Sequence, residues 1–154
     1  MVVNKFPVLL FVYGTLQRAY GNHRVLAGDS GKHAEFVGRA TTMPKFYMTG
    51  SGFPRVAKTV LGGFPPNVDR TDYFAPVGGE VWRATKASFE ACDRLESHPV
   101  FYKREQVPVM LTDKTRLLPW MYVIVQPPRA YECVAKNDSG ILQWAPGQQS
   151  RMIG

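Results

Sequence analysis

The chain has 154 residues, 45% of them apolar and 20% charged, and carries a formal net charge of +7. That length suits one domain with one substantial core, and the balance of residues excludes a disordered or fibrous chain. The positive charge is scattered, with no run of four Lys or Arg and no helix-turn-helix, zinc-finger or RNA-recognition pattern, which argues against a nucleic-acid partner.

The first predicted element is a buried strand over Val8–Tyr13. No small-residue cleavage site follows it, and no apolar run reaches bilayer-spanning length, so a cytoplasmic protein without membrane attachment is expected. Its last residue opens Tyr13-Gly14-Thr15-Leu16. A strand ending on a glycine turn can aim successive backbone N–H groups into one small space, where they bind an anion or a developing oxyanion. The same tetrapeptide also reads as an ordinary turn. A short helix follows over His23–Leu26, with His23 expected to bond near this first loop.

Further strands are expected at Glu35–Thr41, Phe46–Met48 and Gly79–Ala84. Between Lys58 and Val77, Gly62-Gly63, Pro65-Pro66, Asn67 and Pro76 mark a long turn-rich loop, either surface decoration or a lid. One main helix is predicted from Lys86 to Glu96, with Thr85 as its N-cap. The last predicted strands are Arg104–Leu111 and Pro119–Val125. Pro108 favours an edge strand or a bulge in the first of them. Beyond Pro127-Pro128 the periodicity is weak, and Gly147–Gly154 is expected to be frayed. Many strands with one main helix and short flanking helices give an α+β fold, a small mixed β-barrel in a single domain over 1–154. Trp82, Trp120 and Trp144 are assigned to its packing.

Sites for chemistry are few. The G-x-S-x-G elbow, the P-loop, G-x-G-x-x-G after a strand and H-E-x-x-H are all missing from the sequence. Cys92 and Cys133 lack metal-ligand spacing with each other and with His23, His33 and His98, so they read as reduced core thiols, and neither a metal nor a cofactor is expected. On the main helix, Thr85, Ser88, Phe89, Cys92, Leu95 and Glu96 share one face at about 100° per residue. Glu96 thus lies on the core-facing stripe near the helix C-terminus, where burial and the macrodipole both favour its protonated form. Two readings fit: a proton-transfer group, or an ion pair with Arg104. His98 is expected at the surface, and Tyr122 either in the core or facing the site.

These residues carry a family resemblance. Tyr13-Gly14-Thr15-Leu16 resembles the Y-G-[ST]-L motif of the γ-glutamylcyclotransferase-like superfamily. Asn22-His23-Arg24-Val25-Leu26 follows at the spacing of its γ-glutamylamine cyclotransferase branch, and Phe36, Gly38 and Arg39-Ala40 continue the match. Gly79-Glu80-Val81-Trp82 is similar to the G-E-V-[YW] strand, and Asp93 to Arg104 resembles D-x-[LF]-E-x-x-P-x-x-Y-x-R. The likeness is strongest over residues 8 to 125.

The resemblance implies a small-molecule γ-glutamyl substrate, cyclised to 5-oxoproline with release of an amine, and no cofactor. It implies Glu96 as the catalytic acid and base. Substrate contacts fall to Tyr13, Gly14, Thr15 and Leu16, to Tyr102, and to Pro54 within Phe53-Pro54-Arg55. The match around Asn22–Leu26 favours γ-glutamylamines such as ε-(γ-glutamyl)lysine. Another γ-glutamyl substrate, or a catalytically silent binding domain of the same fold, is the alternative. The oligomeric state is not legible in the sequence.

Overall fold

The computed structural model describes residues 5–18, 20–28, 33–50 and 54–144. A seven-stranded sheet is built from β1 (Val8–Val12), β2 (Ala34–Thr42), β5 (Gly78–Ala84), β6 (Tyr102–Gln106), β7 (Val109–Leu111), β8 (Arg116–Leu117) and β9 (Trp120–Ile124), in the spatial order β6-β9-β1-β5-β2-β7-β8. A separate hairpin joins β3 (Tyr47–Thr49) to β4 (Arg55–Ala57). The helices are α1 (His23–Ala27) and α2 (Lys86–Leu95), with 3-10 turns at Arg70–Asp72 and Ala130–Glu132. β1 runs antiparallel to β5 and parallel to β9, so the sheet is mixed. It curls into a half-barrel, which lets β6 and β7 follow each other in the chain while standing far apart in the strand order.

β1 is the spine, and its sequence explains why. Leu10 and Val12 face the helices with Leu26, Phe89 and Cys92, while Phe11 and Tyr13 turn inward with Val81, Val109 and Met121. A strand covered on both faces needs an unbroken apolar run, and Val8 to Tyr13 supplies it. Each fully buried large side chain contributes about 1.5–3 kcal/mol. Against this spine β5 lies so close that a Cβ at Gly79 would sit 2.3 Å from the Val12 carbonyl oxygen, a position only glycine fills.

α2 starts where Thr85 accepts the Ser88 N–H at 3.3 Å, and it buries Ser88, Phe89 and Cys92 as its face predicts. Leu95, on the same predicted face, is 42% exposed because the helix runs out there.

Several expectations need correction. The single strand over Arg104–Leu111 is two strands, split at Val107-Pro108. Pro108 cannot donate to a ladder, and the chain uses the break to leave β6 at one edge and enter β7, which lies inside the sheet between β2 and β8. The short β4 and β8 were not foreseen. His98, expected at the surface, is half-buried, and its Nδ1 accepts the Arg104 N–H at 3.2 Å.

The chain after Gln126 packs closely despite its weak periodicity: Val134 N–H bonds the Met48 carbonyl, and Leu142 is fully buried beside β5. The segment Gly147–Gly154 lies outside the described residues. Within the 58–77 loop, Phe64 and Phe74 stack around Tyr47, and Arg70 donates to the Tyr47 hydroxyl at 2.7 Å. Among the described residues, no helix is long and apolar enough to cross a membrane.

Candidate functional site

The turn that follows β1 is tied down from three sides. Asn22 Nδ2 donates to Thr15 Oγ1 at 2.9 Å, and His23 Nδ1 lies 2.8 Å from the Leu16 carbonyl oxygen. On the third side Glu80, buried on β5, accepts the Arg18 N–H at 2.9 Å and the Trp82 indole N–H at 3.0 Å. The Gln17 N–H closes the turn on the Gly14 carbonyl at 3.1 Å. This leaves the N–H groups of Thr15 and Leu16 at the centre of the turn, with no acceptor among the described residues. At Gly14 an added Cβ would meet Pro54 Cγ at 2.9 Å, so the turn and the start of β4 are in close contact.

Glu96 stands opposite, as the C-cap of α2. A cavity of about 190 Å³ is lined by the Tyr13–Leu16 turn, Pro54, Glu96 and Tyr102, which brings together every site residue named from the sequence. None of residues 58–77 lines it. Tyr122 faces this cavity, as do Asn22, Leu95 and Phe101, none of which had been given a place in the site. Asn22 had a usable signal, since it directly precedes α1. Phe101 had none beyond its position next to Tyr102. Phe53 lies outside the described residues.

The electrostatics of the site are set by dehydration. Burial lifts the Glu96 carboxyl to about 7. No cation among the described residues pairs with it: Arg104, its partner in the alternative ion-pair reading, donates instead to both oxygens of Asp93, at 3.0 and 3.2 Å. The choice of Asp93 has a geometric cause. Arg104 pairs across the sheet with Tyr122, which places its guanidinium over Phe89 and Trp120 and beside Asp93, one helical turn before Glu96. The Tyr122 hydroxyl completes this cluster by donating to Asp93 Oδ1 at 2.6 Å.

Three phenols, those of Tyr13, Tyr102 and Tyr122, are pushed above their ordinary range, each chiefly by burial and each further by the Glu96 charge. They therefore stay protonated around the carboxyl. The Cys92 thiol beneath it is pushed up to about 12, also mainly by burial, which removes it as a nucleophile near neutrality. The site thus combines a carboxyl poised near neutrality with no cation partner among the described residues, the Tyr102 phenol as a donor, and two open backbone amides, while the Tyr13 and Tyr122 hydroxyls are engaged with the Tyr122 carbonyl and Asp93. Such a set can move a proton and stabilise an oxyanion without a protein nucleophile.

A family model described as "Gamma-glutamyl cyclotransferase, AIG2-like" matches residues 10–142. The match extends past the sequence likeness over residues 8 to 125 to include the packed segment through Leu142. A Drosophila melanogaster protein provisionally named a γ-glutamylcyclotransferase is 31% identical over 115 residues, 75% of this chain and 68% of that protein. A Bos taurus protein named γ-glutamylaminecyclotransferase is 32% identical over 102 residues, 66% of this chain and 56% of its own length. In fold, the chain is similar to the crystal structure of an AIG2-like protein from Mus musculus, with a TM-score of 0.62, 21% identity, and 96% and 100% of the two chains covered.

Proposed function

This chain belongs to the γ-glutamyl cyclotransferase, AIG2-like family, and on that premise we propose that it converts free γ-glutamyl amines, such as ε-(γ-glutamyl)lysine, to 5-oxoproline and the free amine. Family membership supports γ-glutamyl cyclotransferase chemistry in general. The amine branch rests on the motif around Asn22–Leu26 and on the Bos taurus relative's name. The observation that carries the reading is Glu96: a carboxyl held near 7 by burial, with no cation partner among the described residues, in a cavity that the Thr15 and Leu16 turn also lines.

A γ-glutamyl group carries its own nucleophile. Its α-amine can reach the γ-carbonyl carbon through a five-membered ring, and a well-oriented intramolecular attack has an effective molarity on the order of 10⁵ M or more. In this mechanism the Glu96 carboxylate takes the proton that the α-amine releases as the ring C–N bond forms. The carbonyl oxygen becomes an oxyanion, held by the N–H groups of Thr15 and Leu16, each good donor being worth about 2–4 kcal/mol. Glu96 then returns the proton to the departing nitrogen as the original amide C–N bond breaks. The carboxyl begins and ends the cycle ionised. Tyr102 donates to the substrate, and Tyr13 and Pro54 shape the glutamyl end. Both cysteines are free and buried, in keeping with the reducing cytoplasm in which we place the protein.

The test is 5-oxoproline release from ε-(γ-glutamyl)lysine and from a γ-glutamyl dipeptide by wild type and Glu96→Gln. Faster release from the lysine compound, lost in a folded Glu96→Gln protein, supports reaction, branch and residue. Preference for the dipeptide moves the protein to another branch, activity surviving in the variant moves the proton transfer elsewhere, and no release by wild type favours a silent binding domain.

A further inference from the structure

Glu80 is buried, with 4% of its surface exposed, yet it stands outside the lining of the Glu96 cavity. A carboxylate is costly to bury, so one placed behind a cavity wall needs a reason to be there. Sheet register explains the position. On β5, Glu80 stands opposite Val12 of β1 and Arg39 of β2, level with the point where β1 gives way to the Tyr13–Leu16 turn.

Its two oxygens hold different partners. Oε1 accepts the Arg18 N–H at 2.9 Å and the Trp82 indole N–H at 3.0 Å. Oε2 faces the guanidinium groups of Arg18 and Arg39, at 3.5 and 3.8 Å, and both arginines are about half exposed. Both Oε1 bonds lead to the turn. Arg18 directly follows Gln17, whose N–H closes the turn on the Gly14 carbonyl. Trp82 packs against the His23 ring at 4.7 Å between centres, and His23 Nδ1 lies 2.8 Å from the Leu16 carbonyl oxygen. One carboxylate oxygen thus holds the chain just beyond Leu16 and, through two rings, the Leu16 carbonyl itself.

We propose that Glu80 is a positioning residue for cyclisation, its Oε1 fixing the direction in which the Thr15 and Leu16 N–H groups meet the oxyanion. The inference rests on the cyclisation reading, which supplies that oxyanion, and adds to it a residue acting from behind the cavity wall. Such donors stabilise charge only when they are fixed in advance, and a displacement of about 1 Å can cost on the order of 100-fold in rate. The role belongs to the place of Oε1 and not to the charge, because Oε2 meets only long contacts from half-exposed guanidinium groups.

The experiment measures 5-oxoproline release by the full chain as wild type, Glu80→Gln, Glu80→Asp and Glu80→Ala, with kcat referred to the folded fraction. The substrate is whichever of ε-(γ-glutamyl)lysine and a γ-glutamyl dipeptide wild type turns over faster. Each protein is also titrated with an analogue carrying a phosphinate in place of the γ-amide, whose charged oxygen mimics the oxyanion. Glu80→Gln keeps an oxygen at Oε1 without the charge and should stay within about threefold of wild type. Glu80→Asp keeps the charge but draws its oxygens back by one methylene. It and Glu80→Ala should lose kcat by about 10- to 100-fold, with KM within about threefold and the phosphinate bound more weakly by a similar factor.

A role confined to fold stability would lower the folded fraction and leave kcat per folded molecule unchanged. The order of Glu80→Gln above Glu80→Asp decides the question even if Glu80→Ala fails to fold. Glu80→Asp at or above Glu80→Gln, a raised KM at constant kcat, or lost kcat without weaker phosphinate binding overturns the role of Glu80 and leaves the cyclisation reading standing. Equal kcat in all four proteins does the same. Release by none of them, wild type included, overturns the cyclisation reading and the role of Glu80 with it.

Discussion

The Tyr13 hydroxyl donates a 2.7 Å hydrogen bond to the backbone carbonyl of Tyr122, joining residues 109 positions apart. Tyr13 directly follows the spine strand and begins the turn with the two open amides. Tyr122 lies on β9 and sends its own hydroxyl to Asp93, three residues before Glu96. One chain of contacts therefore links both walls of the cavity. Tyr13→Phe removes the donor and leaves the Tyr122 carbonyl without that partner. Denaturant unfolding should show a loss of about 1–3 kcal/mol, with kcat/KM reduced as the turn loosens against β9.

The acidic limb of activity should report Glu96. The residue acts first as a base, so the free enzyme is competent only when the carboxyl is ionised. With the carboxyl lifted to about 7, kcat/KM should rise with pH through about 7, well above the range of an ordinary glutamate. A limb near 4.5 would mean that this group does not carry the proton.

Stability should show the reverse dependence. A carboxyl whose folded value is raised binds its proton in the native state at pH values where the unfolded chain has already released it. Its contribution is therefore most favourable below about 4.5 and is lost as pH rises through about 7. Glu96→Gln removes this titration. The variant should gain on wild type by about 2 kcal/mol at pH 8, with the difference shrinking toward pH 5, as followed by denaturant melts across that range.

The Asp93–Arg104 pair lies one helical turn from Glu96, which has no ion-pair partner among the described residues. Its two side chains are 19% and 17% exposed, and the guanidinium also rests on Phe89 and Trp120. Asp93→Ala leaves that guanidinium without its carboxylate and should cost about 3 kcal/mol. The double variant with Arg104→Ala should cost less than the sum of the two single changes, by about 1–2 kcal/mol. An additive cycle would show that the pair does not hold the helix end.

What the sequence determined alone was local. An unbroken apolar run made β1, Thr85 and a 3.6-residue period made α2, and the same period put Glu96 on the buried stripe with Ser88, Phe89 and Cys92. These signals are legible because each depends on neighbours within a turn or a few residues. The motif order added the Tyr13–Leu16 turn and Tyr102, which line the Glu96 cavity. The short β4 and β8 escaped because two or three residues carry no readable period.

Only the tertiary structure decided who meets whom. Arg104 and Glu96 are close in sequence, yet the register of β6 on β9 sets Arg104 opposite Tyr122 and gives it to Asp93. The same register leaves Glu96 without a cation partner among the described residues, and burial raises its carboxyl. Likewise, the break at Pro108 is written in the chain, but its destination inside the sheet is not. Partner choice depends on strand register and on distant elements closing over the same space. Periodicity within one segment carries no information about either.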